Sequence, residues 1–189
     1  MSLPALIEAA LEVQAVLAAA GIRSCVIGGL AVQRWGEPRA TQDVDFSVLA
    51  PVGDERRPLD LLLRTFTPRR SDALAFATAN RVLLIQATNQ VAVDVGLAGS
   101  EFELEVLERS SHWDYRGTSL VTCSAEDLVL YKLVAGRTRD VVDIEGIVRR
   151  QGVGLDVDRI RRFGVQFGEL KEEPELLRPF EQALARARE

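Results

Sequence analysis

Two short segments of the sequence alternate between apolar and small or acidic residues, and this pattern constrains the fold more than any other feature. Side chains along a β-strand point alternately to opposite faces, so residues 43–48 would place three apolar side chains on one face. Residues 91–96 repeat the split, with three valines on one face. The pattern predicts two strands of one sheet. The residues on the carboxylate side would be Asp43, Asp45 and Ser47 in the first strand and Ala92, Asp94 and Gly96 in the second.

Three aspartates inside strands need a physical reason, because Asp is depleted in strands and its charge resists burial. Carboxylates held within about 4–6 Å of one another raise each other's pKa unless a cation neutralises them. Mg2+ prefers such hard oxygen ligands and keeps places for water and phosphate. The alternative is an exposed sheet face with solvated carboxylates. The recurrence of the pattern in a second strand, and a glycine pair upstream, favour a metal site at Asp43, Asp45 and Asp94.

The glycine pair, Gly28 and Gly29, lies between a short apolar run at 24–27 and an amphipathic segment at 30–35. This order is typical of a strand, a tight turn and a helix. Backbone N–H groups at such a turn can approach an anion closely, and the start of the helix adds a favourable dipole. A tight turn without a ligand is the simpler interpretation of two glycines alone. With the carboxylates downstream, the turn is a candidate phosphate site.

The remaining patterns indicate an α+β fold, with a small mixed sheet flanked by helices and a helical C-terminal half. Residues 81–88 and 91–96 form a predicted hairpin. We expect an α/β core at 1–122 and a helical region at 123–189 packed on it, with about four helices separated at glycines and Pro174. The other predicted elements are helices at 4–20 and 56–66 and a strand at 118–122; breaks are expected at Gly136, Gly152, Gly154 and Gly168.

Composition excludes several classes of protein. The chain has 189 residues, 47% of them hydrophobic and 27% charged, as in ordinary globular proteins. A net charge of −5 argues against a protein that coats nucleic acid by bulk electrostatics. Cys25 and Cys123 are far apart and form no zinc or disulfide pattern, so we expect core cysteines and a reducing, cytoplasmic setting. No signal peptide or membrane span is indicated.

A longer pattern surrounds these residues: the glycine pair is followed, after 13 residues, by Asp43-Val44-Asp45-Phe46. It resembles the signature of the nucleotidyltransferase (polymerase beta-like) superfamily. Further segments resemble the branch that includes the toxins of AbiE-type toxin–antitoxin systems and small uncharacterised nucleotidyltransferases. These segments are Arg39-x-Thr41-x-Asp43-x-Asp45, Ser124-x-Glu126-Asp127-Leu128 and Lys132-Leu133-x-Ala135-x-Arg137-x-Arg139-Asp140-x-x-Asp143. The resemblance covers roughly residues 22 to 148.

The resemblance implies roles for single residues. Asp43, Asp45 and Asp94 would be the catalytic residues and bind two Mg2+ ions, with Mn2+ as the alternative, and Gly28 and Gly29 would hold the triphosphate. Many active relatives carry Ser where this chain has Gly29. Further substrate-binding candidates are Arg39, Lys132 and Asp140.

Simpler interpretations accompany several of these candidates. Lys132 is one of only two lysines and would otherwise be a solvated helix-surface residue. Thr41 contacts substrate or shapes a loop. Asp140 and Asp143, three residues apart, would pair with neighbouring arginines on a helix surface, which is the favoured interpretation of Asp143. His112 and Trp113 lie in a segment, 110–116, that would form either a loop over the site or a plain surface loop, which is the favoured interpretation.

The function expected from these residues is metal-dependent transfer of a nucleoside monophosphate from an NTP to an acceptor. The acceptor would be RNA, protein or a small molecule, since fold does not choose among them. A toxin with an antitoxin partner is one version. The alternatives are a catalytically weak module that binds nucleotide or a partner, and an antibiotic-modifying nucleotidyltransferase. No membrane partner is expected.

Overall fold

The computed structural model describes residues 2–187, which divide into two compact units. Residues 2–30 and 40–123 form the first, here called the sheet unit. Residues 31–39 and 124–187 form the second, here called the helical unit.

The helices and strands follow the sequence patterns closely at several points. The predicted strands at 24–27 and 118–122 are present with those bounds, and the alternating segment 43–48 lies in a strand that ends one residue later, at Leu49. The bounds in chain order are α1 Leu3–Ala19, β1 Ser24–Ile27, α2 Gly28–Trp35, β2 Asp43–Leu49, α3 Arg56–Thr65, β3 Thr67–Pro68, α4 Ala73–Asn80, β4 Val82–Gln86, β5 Ala92–Ala98, α5 Glu101–Arg109, β6 Ser111–Tyr115, β7 Thr118–Thr122, α6 Ala125–Ala135, α7 Thr138–Gln151, α8 Val157–Lys171 and α9 Arg178–Arg186.

The sheet unit is built on a mixed sheet. Over residues 2–187 the sheet has seven strands in the order β3-β4-β5-β2-β1-β7-β6. Strands β2 and β5 are parallel, as are β1 and β7, and the other neighbours are antiparallel. The predicted hairpin is confirmed as β4 and β5. The sheet and helices together confirm the predicted α+β class.

Apolar side chains at alternate positions along the strands form the core of this unit. Val44, Phe46 and Val48 in β2 are at most 1% exposed, and Val93 and Val95 in β5 are fully buried. These side chains join one apolar cluster with residues of α1, α3 and α4. Burial of apolar area on this face is what fixes the register, because a slip of one residue would bring the carboxylates inside.

Edge strand β6, Ser111–Tyr115, occupies most of segment 110–116, so the interpretation of this segment as a loop was wrong. Strand β6 pairs antiparallel with β7 along its whole length. Trp113 and Tyr115 are partly buried against the apolar cluster, whereas His112 and Asp114 are exposed. Two aromatic side chains on the inner face are sufficient to hold the strand. The ring nitrogen Nδ1 of His112 lies 2.8 Å from Oγ of Ser119, at the sheet edge away from the carboxylates.

In the helical unit, the four α-helices expected beyond Ser124 are found within residues 124–187. Ser124 caps α6, since its side chain accepts a hydrogen bond of 3.1 Å from the N–H of Asp127. Gly136 ends α6 in the left-handed region. The break predicted at Gly168 was wrong, because Gly168 lies inside α8. A Cβ there would be 3.0 Å from the carbonyl oxygen of Glu173. Close packing against this backbone, and not a helix end, therefore accounts for the glycine.

The two cysteines are buried, as expected. No helix within residues 2–187 combines the length and the apolar character needed to span a bilayer.

Candidate active site

The three aspartates of the sequence pattern lie on two neighbouring strands of the sheet unit. Because β2 and β5 are parallel and in register, Asp45 is paired directly with Asp94. Asp43 precedes Asp45 by two residues and therefore lies on the same face. Neighbouring strands are about 4.8 Å apart, so the carboxylates are close enough to interact. On the other side Asp45 is paired with Ile27, the last residue of β1, immediately before the glycine turn.

Gly28 brings the backbone of the turn against Asp45. Its φ of +62° lies in the left-handed region, which L side chains rarely adopt. A Cβ at this position would lie 2.6 Å from Cγ of Asp45, and closer still to its Oδ2. The carboxylate therefore occupies the space that a side chain at the turn would need, and only glycine allows this approach.

Gly29 makes a second close approach, to Thr41. A Cβ at Gly29 would lie 3.0 Å from Cβ of Thr41, and nearer to its hydroxyl oxygen. Thr41 is 8% exposed, and its hydroxyl donates a 3.1 Å hydrogen bond to Oδ1 of Asp43. The threonine thus fills the space above the turn and orients one of the carboxylates. This contact agrees with the interpretation that Thr41 shapes this part of the chain, and contact of Thr41 with substrate stays a prediction.

Asp94 has a cationic partner that the sequence analysis missed. Nη2 of Arg69 forms an ion pair with Oδ1 of Asp94, and both side chains are partly exposed. Burial is the chief cause that raises the pKa of Asp94, and the neighbouring charge of Asp43 raises it further, while Arg69 acts in the opposite direction. The net result is a carboxyl pKa above the ordinary value for Asp. Nothing in the sequence around Arg69 marks it, since β3 is only two residues long.

The donor set suits a hard divalent cation in its chemistry, because all its ligand atoms are carboxylate oxygens. The charge of Asp43 raises the pKa of Asp94, and a bound cation would relieve this repulsion. As the side chains stand, however, no three His, Cys, Asp or Glu residues among 2–187 are gathered to hold a metal ion. Asp43 is engaged by Thr41 and Asp94 by Arg69. A metal ion that binds through Oδ1 of Asp94 would have to displace Arg69 from it.

A second set of charged residues lies in the helical unit. Lys132 is 3% exposed, and its Nζ lies 2.9 Å from Oδ1 of Asp140 and 2.8 Å from Oδ2 of Asp143. Arg39 holds Asp143 with two hydrogen bonds, one of them 2.7 Å long. Arg137 holds Asp140 through a 2.7 Å contact. The cluster contains three cations and two carboxylates.

This cluster corrects two interpretations made from the sequence. Lys132 is not a solvated surface residue, and the two aspartates do not pair on an exposed helix face, since Asp140 is fully buried and Asp143 is 3% exposed. Burial acts to raise the pKa of both carboxyls. Hydrogen bonds from Lys132, from Arg137 to Asp140 and from Arg39 to Asp143 outweigh it, so both pKa values lie below the ordinary value for Asp.

The predicted site residues therefore fall in two places. The sheet unit brings together Asp43, Asp45, Asp94, Gly28 and Gly29, and adds Thr41 and Arg69. The helical unit brings together Arg39, Lys132, Asp140 and Asp143 and adds Arg137.

Comparison with known protein families and with curated proteins found no match. Comparison with solved structures found proteins with a similar fold. The solution structure of the antibiotic-resistance factor ANT(2'')-Ia is similar, with a TM-score of 0.58 and 14% identity over 86% of this chain and 92% of that one. The crystal structure of ANT(2'')-Ia in complex with adenylyl-2''-tobramycin gives a TM-score of 0.53 and 15% identity, over 85% of this chain and 95% of that one. The chain thus has the fold of a nucleotidyltransferase.

Proposed function

We propose that this protein transfers a nucleoside monophosphate from an NTP to an acceptor, using divalent metal held by Asp43, Asp45 and Asp94. The observation that carries the proposal is the register of the sheet unit. It pairs Asp45 with Asp94 on one side and with the residue before the glycine turn on the other. Carboxylates and a turn able to approach phosphate thus meet in one place, within a nucleotidyltransferase fold.

Each residue has a defined task in this proposal. The backbone N–H groups at Gly28 and Gly29 would bind the triphosphate, because they lie at the start of helix α2, where N–H groups and the helix dipole favour an anion. The missing side chains make room beside the turn for Asp45 and Thr41. Thr41 keeps Asp43 oriented. Bound divalent metal would neutralise the charge that develops between the attacking and leaving oxygens. In this proposal Asp94 completes the metal site and helps to take the proton of the acceptor hydroxyl.

The proposal also assigns substrate binding to Arg39, Lys132 and Asp140. Their cluster, completed by Arg137 and Asp143, has three cations against two carboxylates. The excess of one positive charge suits a negatively charged group of a substrate. Asp140 would act by orienting the ammonium group of Lys132, which it contacts at 2.9 Å.

The identity of the acceptor separates the versions of this function. A toxin of a two-gene system would modify RNA or protein, and its expression would slow growth unless an antitoxin were present. An antibiotic-modifying enzyme is the second candidate, supported by the similar fold of ANT(2'')-Ia in complex with adenylyl-2''-tobramycin. A module that binds nucleotide without turnover would keep the carboxylates and transfer nothing.

The experiment is an incubation of the purified protein with each of the four NTPs, labelled at the α-phosphate, together with Mg2+ and a cell extract. The products are separated into RNA, protein and small molecules, and an aminoglycoside is added in a parallel series. Asp45→Asn is the inactive variant, and Asp114→Asn, which removes an exposed carboxylate of β6, is the matched control. Label that moves in wild type and Asp114→Asn, but not in Asp45→Asn, supports the proposal. Nucleotide binding without any transfer supports the binding module instead.

A further inference from the structure

Arg69 is anchored to the sheet directly beside the carboxylates. Its backbone N–H donates a 2.9 Å hydrogen bond to the carbonyl oxygen of Leu84 in β4. Leu84 is the register partner of Asp94 in the neighbouring strand β5. The arginine side chain needs to cross only one strand to reach Asp94, and its guanidinium forms the ion pair there.

The next residue, Arg70, shows what an ordinary surface arginine does in this segment. It binds Asp72, two residues further on, through contacts of 2.8 and 2.9 Å, and its guanidinium lies over the ring of Phe76. These partners are local, and more than two fifths of the Arg70 side chain is exposed. Arg69, by contrast, pairs with a residue 25 positions away that belongs to the carboxylate set.

The ion pair places the single positive charge of Arg69 at Asp94, where a metal ion would place two. Its guanidinium offsets part of the repulsion between Asp94 and Asp43, which otherwise raises the pKa of Asp94. A carboxylate oxygen that binds a divalent ion closely cannot keep a guanidinium in contact at the same place. Arg69 and a metal ion would therefore compete for Oδ1 of Asp94.

Arginine also has a second natural partner in the proposed reaction. Mg2+ bound by carboxylates in nucleotide sites keeps part of its coordination for substrate phosphates. A metal at Asp94 would thus bring phosphate oxygens next to the guanidinium it displaces. The planar guanidinium group binds phosphate through two parallel N–H···O bonds, which lysine does not provide.

We propose that Arg69 exchanges partners at this site. It neutralises Asp94 before the metal–nucleotide complex binds, and it then turns from Asp94 to the triphosphate. This inference rests on the proposed function. It predicts that Arg69 weakens metal binding in the absence of nucleotide and strengthens the binding of the metal–nucleotide complex.

The substitution Arg69→Met tests the exchange, because it should strengthen the binding of free Mn2+ and weaken the binding of the metal–NTP complex. Mn2+ affinity without nucleotide is measured by electron paramagnetic resonance, and NTP affinity and transfer are measured as KM and kcat. Arg69→Met should bind free Mn2+ about 2- to 5-fold more tightly, the range expected when a partly exposed ion pair no longer competes. Its KM for the metal–NTP complex should rise about 10-fold or more, because a charge-assisted pair of hydrogen bonds is lost. Arg69→Lys should bind Mn2+ like wild type and recover only part of the KM.

Arg70→Met is the matched control and should change neither quantity. The inference is overturned if Arg69→Met leaves Mn2+ affinity unchanged or lowers it, or if KM does not rise, since Arg69 would then be a structural partner of Asp94. A loss of fold in Arg69→Met is recognised by circular dichroism, and Arg69→Lys then decides: an unchanged KM overturns the inference. If the wild-type protein binds no Mn2+ and transfers no nucleotide, the proposed function is wrong, and the inference about Arg69 fails with it.

Discussion

Gly28 is the position in the sheet unit where one added methyl group should be most damaging. Its φ of +62° requires the left-handed region, which costs an L residue about 1–2 kcal/mol. A Cβ would also lie 2.6 Å from Cγ of Asp45, whereas ordinary contact begins at 3.4 Å. The carboxylate would have to retreat, and overpacking of this kind costs about 1–3 kcal/mol. Gly28→Ala should therefore lower the free energy of unfolding of the sheet unit by about 2–5 kcal/mol.

Gly21 provides the control, because it has the same backbone conformation without the neighbour. Its φ is +65°, and a Cβ there would have no heavy atom within 4 Å. Gly21→Ala should cost only the conformational part, about 1–2 kcal/mol. Both variants are compared by urea unfolding in a Trp35→Phe background, which leaves Trp113 of the sheet unit as the fluorescent reporter. Equal losses for the two variants would refute the close approach of Asp45 to the turn.

Three further predictions concern other contacts. Gly29→Ala should cost about 1–3 kcal/mol because its Cβ would press on Thr41. Most of that loss should disappear in a Thr41→Ala background, and strictly additive losses in the double-mutant cycle would contradict this explanation. Asp140→Asn should destabilise the helical unit at pH 7, since the pKa of Asp140 is lowered on folding. That stabilisation is complete above the unfolded pKa of about 3.9 and is lost as the pH falls through the lower folded value, so the urea midpoints of wild type and variant should converge below about pH 4. A gap that stays constant with pH argues against the ion pairs. Arg159→Met should cost about 3–5 kcal/mol, because it leaves the fully buried carboxylate of Asp127 without the guanidinium 2.8 Å away. Adding Asp127→Leu should restore much of the loss in thermal unfolding, and a double variant less stable than the single one would contradict that reasoning.

Local patterns in the sequence were sufficient to predict the centre of the sheet unit. Strand β2 and the turn at Gly28 and Gly29 follow from alternation and from glycine placement, both of which act over a few residues. Strand β3 could not be predicted, because two residues are too few to show an alternating pattern. The strand exists only through its pairing with β4.

Contacts between residues distant in sequence account for what was missed. The ion pair of Arg69 with Asp94 spans 25 positions, and that of Arg39 with Asp143 spans 104. A charged residue on a helix is expected to be exposed unless a partner is supplied, and the sequence alone does not show which partner folding supplies. For that reason Asp143 was interpreted as a surface residue, whereas it is buried.

The measurement that tests the central claim most directly compares NTP labelled at the α-phosphate with NTP labelled at the γ-phosphate. Nucleotidyl transfer moves the α-phosphate to the acceptor and releases the γ-phosphate in pyrophosphate. We expect α-label, and not γ-label, in the product, with Mg2+ present and with Asp45 intact. Transfer of γ-label, or transfer of α-label that survives Asp45→Asn, would contradict the assignment of Asp43, Asp45 and Asp94 as the centre of a nucleotidyltransferase.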